Sequence, residues 1–82
     1  MEESEESFDL ELDCRGLYCP LPLVKARAAM DTLEPGGILF LVATDSGSLA
    51  DMAAYCRVTG NELVSSRETE GEYRFLIRKS EG

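Results

Sequence analysis

Residues 8–22 read FDLELDCRGLYCPLP, and this stretch contains both a strand pattern and a helix start. Apolar and acidic residues alternate over 8–12, which is the period-two pattern of a half-buried strand. Cys14 continues the apolar parity, so its side chain is expected to point toward the core. Pro20 and Pro22 follow a short loop, and proline is tolerated in the first turn of a helix. Apolar residues then fall at helical spacing. The stretch therefore predicts a strand, a loop and a helix over 20–33, with Cys19 as the helix N-cap.

A second helix is indicated further along the chain. Asp45 or Ser48 is expected to cap its N-terminus, because short polar side chains accept hydrogen bonds from the first backbone N–H groups of a helix. Ser48 and Asp51 also match a capping-box spacing, with Asp in the position that Glu usually takes. Gly60 suits the left-handed conformation that ends many helices.

Three more strand segments complete the pattern. The continuous apolar run over 38–43 predicts a strand buried on both faces. Strands over 61–68 and 72–79 are predicted to form a closing hairpin. The order βαβαββ predicts an α+β fold, namely a two-layer α/β sandwich with a mixed four-stranded sheet and two helices on one face. One domain is expected over 8–79, after a disordered acidic N-terminus over 1–7.

The composition of these 82 residues excludes several classes of function. The net charge of −8 disfavours direct contact with nucleic acid, since phosphates attract clustered Lys and Arg. With three cysteines and no histidine, the chain offers no Cys–His catalytic pair and too few ligands for a structural zinc site, so no metal is expected. No apolar run is long enough to span a membrane. We expect a cytoplasmic protein that is monomeric in isolation and meets mixed-charge protein partners.

Cys19 is the candidate reactive residue. A sulfur at a helix N-terminus lies close to unpaired N–H groups and to the positive end of the helix dipole, which favour the thiolate. Pro20 and Pro22 stiffen the first helical turn, Gly16 lies in the loop before it, and Arg15 adds positive charge nearby. The pKa of the Cys19 thiol is therefore expected below the ordinary value of about 8.5. The alternative is that Cys19 is a small buried packing residue.

The other two cysteines favour packing roles. Cys14 is expected to point inward at the end of the first strand, and Cys56 lies on the apolar face of the second helix. Cys14 is nevertheless a possible second thiol, because it precedes Cys19 by a short loop and could resolve a disulfide with it.

The stretches just described resemble the TusA family of bacterial and archaeal sulfur carriers. The hallmark of that family is Cys-Pro-x-Pro, which appears here within an Asp-x-x-Gly-Leu-x frame. The matching segments are Leu12–Pro22, Asp45–Ser48, Tyr55–Leu63 and Phe75–Lys79.

The resemblance implies a βαβαββ sandwich and a persulfide on Cys19, with no separate cofactor. It also implies a cysteine desulfurase or rhodanese-type protein as sulfur donor and a downstream acceptor protein. Family members serve tRNA thiolation, molybdenum-cofactor supply or sulfur oxidation, and they act as carriers rather than stand-alone enzymes. Leu21 stands where several tRNA-thiolation members carry an acidic residue, which weighs against the tRNA route.

Two other classes of function remain open from the sequence. In the first, Cys14 and Cys19 cycle between dithiol and disulfide, which would make the chain a redox module. In the second, the chain is a non-catalytic interaction domain, although its acidic charge disfavours an RNA partner.

Overall fold

A computed structural model describes residues 7–81 of the protein and gives its secondary-structure elements in the predicted order. These elements are β1 (Leu10–Cys14), α1 (Leu21–Asp31), β2 (Ile38–Ala43), α2 (Gly47–Thr59), β3 (Glu62–Thr69) and β4 (Glu72–Arg78). The predicted disordered segment over 1–7 lies, except for Ser7, outside the described residues.

The strands form one mixed sheet in the order β1-β2-β4-β3. β1 and β2 are parallel, whereas β4 runs antiparallel to both β2 and β3. The β3–β4 hairpin turns at Glu70 and Gly71, which have φ angles of 52° and 84°. Two consecutive positive φ angles are typical of the tight turn whose twist matches that of a hairpin. The mixed four-stranded sheet predicted from the sequence is therefore confirmed.

Both helices pack on one face of this sheet, as predicted. Met30 of α1 and Met52 of α2 are buried against the sheet residues Leu41 and Phe75. A smaller apolar cluster lies on the opposite face, around Phe40 and its neighbours on β2 and β4. The helix-facing core consists of Cys14, Ala26, Met30, Leu39, Leu41, Ala43, Met52, Cys56, Phe75 and Ile77. Neither helix, within the described part of the chain, has the length and apolar character to cross a membrane.

Phe8 departs from the predicted alternation. The pattern over 8–12 places Phe8 on the same face as Leu10, but its ring stacks on Phe40, on the opposite face, with centroids 5.1 Å apart. Asp9 explains the difference, because its backbone N–H donates to the Ile38 carbonyl and its carboxylate accepts from the Ile38 N–H, both at 2.8 Å. These bonds accompany a bend before the strand begins, so the parity of the strand does not extend to Phe8.

The two helix starts also differ from the prediction. Pro20, and not Cys19, is the N-cap of α1, so Cys19 lies one residue outside the helix. Ser46 is the N-cap of α2, and Ser48 lies within the first turn of that helix, where its side chain is buried. Ser46 makes no side-chain capping hydrogen bond, and the prediction that Asp45 or Ser48 caps this helix is therefore wrong. Gly60 ends α2 in the left-handed conformation, as predicted.

Candidate functional site

The loop that carries the candidate cysteine begins with a tight turn after β1. The Leu17 N–H donates to the Cys14 carbonyl at 3.2 Å, and Gly16 within this turn has a φ of 79°. Residues other than glycine rarely adopt such an angle, which gives Gly16 a conformational role. The Gly16 N–H donates to Thr44 Oγ1 at 2.9 Å, which joins this loop to the segment that follows β2.

Cys19 lies at the end of this loop, and its side chain is exposed. The Leu21 N–H donates to the Tyr18 carbonyl at 2.8 Å, so a turn leads directly into α1. Pro22 is buried in the first turn of the helix, where the N–H group that proline lacks would have no intrahelical partner. The two prolines thus follow Cys19 at the N-cap and in the first turn of α1.

Two aspartates hold Cys19 from the direction of α2. Asp45 Oδ2 accepts the Cys19 backbone N–H at 2.6 Å, and its other oxygen lies 3.4 Å from the Gly47 nitrogen. The Sγ of Cys19 donates to Asp51 Oδ2 at 2.8 Å. Gly47, the first residue of α2, comes so close that a Cβ on it would lie 3.5 Å from the Cys19 Cβ. The N-terminal turn of α2 therefore forms one wall of the site.

These aspartates reverse the expected acidity of the thiol. The hydrogen bond to Asp51 is the main cause that raises the pKa of Cys19, and burial and the negative charges of Asp51 and Asp45 add to it. Arg15 was expected to favour the thiolate, but its guanidinium lies 3.6 Å from Asp13 and 3.5 Å from Glu72. The prediction that the pKa of Cys19 is lowered is therefore wrong, because the contact with Asp51 favours the protonated thiol.

The other two cysteines are in the core. Cys14 has no exposed surface and Cys56 is 5% exposed, and burial raises the pKa of both thiols. All three cysteines are free. The inward orientation predicted for Cys14 is confirmed, and so is the packing role of Cys56. Within residues 7–81, no cluster of three or more His, Cys, Asp or Glu side chains could hold a metal ion.

Asp45 and Asp51 are site residues that the sequence analysis interpreted only as helix caps. The topology contains the signal that would have found Asp45, whereas Asp51 lies within α2 and is identified by its contact with the sulfur. β1 and β2 are parallel neighbours, so the loops after their carboxyl ends lie at the same edge of the sheet. Any polar residue early in the connection after β2 is then a candidate neighbour of Cys19.

Several apolar side chains are exposed on the helical layer, and two of them, Tyr18 and Leu21, lie close to Cys19 in the sequence. A groove of about 400 Å³ between α1 and α2 is lined by Leu23, Ala54 and Tyr55, and it reaches Asp51 at the site. The large apolar side chains that are exposed on α1, α2 and the cysteine loop are Tyr18, Leu21, Val24, Leu49 and Val58. Exposed apolar clusters of this kind mark surfaces that contact other proteins.

The fold and the site define a class of small α/β protein in which one exposed cysteine precedes a helix and is held by two aspartates of the neighbouring connection. The sequence model of the family described as "Sulfurtransferase TusA" matches residues 10–79. The chain belongs to this family, which confirms the resemblance noted in the sequence.

Individual relatives agree with this assignment. The sulfur carrier protein TusA of Allochromatium vinosum is 47% identical over 73 residues, which cover 89% of this chain and 96% of that protein. The sulfur carrier protein TusA of Pseudomonas aeruginosa is 40% identical over 73 residues, covering 89% and 92%. The crystal structure of a SirA-like protein from Desulfitobacterium hafniense superposes with a TM-score of 0.78 over 89% of this chain and all of that one. Its 21% identity supports the fold alone.

Proposed function

We propose that this chain carries sulfane sulfur as a persulfide on Cys19. The observation that supports this most directly is that Cys19 alone among the three cysteines is exposed, at a site where Asp51 accepts from its thiol and Asp45 accepts from its backbone N–H. Membership of the sulfurtransferase family and similarity to proteins named sulfur carriers support the same conclusion.

The transfer follows the chemistry of thiol–disulfide exchange. The sulfur of Cys19 gives up its proton and attacks the outer sulfur of a donor persulfide, the S–S bond of the donor breaks, and the donor cysteine leaves as a thiolate. The acceptor's thiol then attacks the persulfide on Cys19 in the same way. No group beyond this covalent persulfide is needed as a cofactor, and the partners supply the remainder of each active site. The chain is a carrier in this scheme and not an enzyme that turns over alone.

The partners are a cysteine desulfurase or a rhodanese-type donor and a downstream acceptor protein in the cytoplasm. The exposed apolar residues near Cys19 give the donor a surface to contact, and Leu21 and Val24 follow the cysteine by two and five residues. The net charge of −8 favours protein partners over nucleic acid. Sulfur oxidation, molybdenum-cofactor supply and tRNA thiolation are the pathways proposed for the transferred sulfur, and Leu21 in place of an acidic residue weighs against the last.

Sulfur loading tests this proposal directly. The protein is incubated with a cysteine desulfurase and cysteine, and its intact mass is then measured. The wild type and the Cys56→Ala control should each gain one sulfur atom, whereas Cys19→Ser should gain none. Loading that survives in Cys19→Ser would contradict the proposal.

A further inference from the structure

The contact between Cys19 and Asp51 joins two residues that are 32 positions apart in the chain. Asp51 lies beyond the first turn of α2, whose N-cap is Ser46, so the carboxylate is not used to cap its own helix. Arg27 lines the same groove, yet none of the ion pairs formed within residues 7–81 involves Asp51. Among residues 7–81, the Asp51 carboxylate therefore contacts the cysteine sulfur and has no ion-pair partner.

A thiol held in this way needs a base before it can react. The thiolate is the nucleophile in sulfur transfer, and Asp51 with Asp45 keeps the proton on Cys19. The 2.8 Å between Sγ and Oδ2 is within the reach of direct proton transfer to a general base. The group that holds the proton in place is therefore also the group that can remove it.

We propose that Asp51 is a catalytic general acid–base that takes the Cys19 proton during sulfur loading and returns it to the departing thiolate. This inference rests on the proposed carrier function. The donor is a hydropersulfide, written R–S–S–H. The S–H proton of Cys19 moves to Asp51 Oδ2 while Sγ bonds to the outer sulfur of the donor, and the S–S bond of the donor breaks. The R–S⁻ that leaves takes the proton from Asp51, giving Cys19–S–S–H and R–S–H with no change in overall oxidation state.

The charges around the sulfur distinguish the effect of Asp51 on the thiolate fraction from its effect on the loading rate. Asp45 from the β2–α2 connection and Asp51 from α2 face Cys19, and Arg27 from α1 lines the groove beside Asp51. Removing the charge of Asp51 should increase the thiolate fraction at neutral pH. A carrier that depends only on that fraction would load faster without Asp51, whereas one that needs Asp51 for proton transfer would load more slowly.

The first experiment compares Asp51→Asn with the wild type, using glutathione persulfide as the sulfur donor. The thiolate fraction is measured from its ultraviolet absorbance against Cys19→Ser, and the loading rate from quenched intact-mass measurements. We expect more thiolate at neutral pH in Asp51→Asn but loading that is slower by at least about tenfold, because losing a general acid–base contribution of roughly 10²–10⁴-fold outweighs the gain in thiolate. Asp31→Asn, which removes an exposed charge at the end of α1, is the matched control and should load at the wild-type rate. Unchanged or faster loading in Asp51→Asn overturns the proposal.

A second experiment needs no variant of the protein. The loading rate of the wild type is divided by that of a peptide of residues 15–24, in which Cys19 is the single thiol, across about pH 8 to about pH 6, which cancels the titration of the donor. A peptide thiol loses about tenfold in thiolate for each pH unit below its pKa, whereas the proton on Cys19 is removed within the step. The ratio should therefore rise as the pH falls, and a constant ratio overturns the role of Asp51. If the wild type takes up no sulfur at all, it is the carrier function that fails.

Discussion

Replacing Cys14 tests whether the chain acts as a sulfur carrier or as a dithiol redox module. Cys14 has no exposed surface, and it pairs with Ala43 of β2 in the helix-facing core. Cys14→Ala removes only a sulfur atom and should cost about 1 kcal/mol. Cys14→Ser places a hydroxyl in the same apolar site, where an unpaired polar group costs about 1–3 kcal/mol. For a domain of this size, the Tm of Cys14→Ser should fall by roughly 5–20 °C.

The function should respond quite differently from the stability. A disulfide between Cys14 and Cys19 would require Cys14 to leave the core, because the Cys19 side chain is exposed. Both variants should therefore load sulfur from a cysteine desulfurase at the wild-type rate, when assayed well below their transitions. Thermal unfolding, intact-mass loading and non-reducing peptide mapping after mild diamide treatment are the measurements. A dominant Cys14–Cys19 linkage together with lost loading would refute the carrier mechanism, and an unchanged Tm in Cys14→Ser would refute the burial argument.

Two further predictions concern stability. Because burial raises the pKa of Cys14 and Cys56, the unfolded chain loses these protons first, so the free energy of unfolding should fall above the ordinary thiol value of about 8.5. Urea unfolding at about pH 7 and about pH 10 measures this, and a variant with both cysteines changed to Ala should lose less stability over that interval. Gly16→Ala should cost about 1 kcal/mol through its positive φ alone, since nothing lies within 4 Å of an added Cβ. Gly16→Asn should cost less, because Asn adopts this conformation more readily, and equal urea midpoints for all three proteins would contradict the argument.

The sequence predicted the sheet and its layers because local pattern carries that information. The apolar run over 38–43 matches the bounds of β2. The hairpin strands, predicted over 61–68 and 72–79, differ from the structure by one residue at each end except the start of β4. The error at Phe8 has a local cause, since parity is informative only while the backbone is extended. Helix starts were less predictable, because several polar residues near Asp45 could serve as the cap and the sequence does not choose between them.

The acidity of Cys19 could not be predicted from its own neighbourhood. The expected lowering of the Cys19 pKa depended on the dipole of α1 and the charge of Arg15, both of which are local features. The helix begins two residues after Cys19, and the dipole effect falls off within a single turn. A direct hydrogen bond to Asp51 outweighs it, and that contact spans 32 residues. The sign of a pKa shift therefore depends on tertiary contacts that no local pattern contains.

The parallel pairing of β1 with β2 is what brings the parts of the site together. Cys14 and Ala43 end the two strands side by side, and the chain then continues to Cys19 on one side and to Asp45 on the other. α2 starts at the same edge and brings Asp51 to the sulfur. Because Asp51 also lines the groove between the helices, a partner seated in that groove contacts the residue that controls the thiol. On the proposed mechanism, a donor docked in this groove would contact the side chain that takes the Cys19 proton, so docking and proton transfer would meet at Asp51.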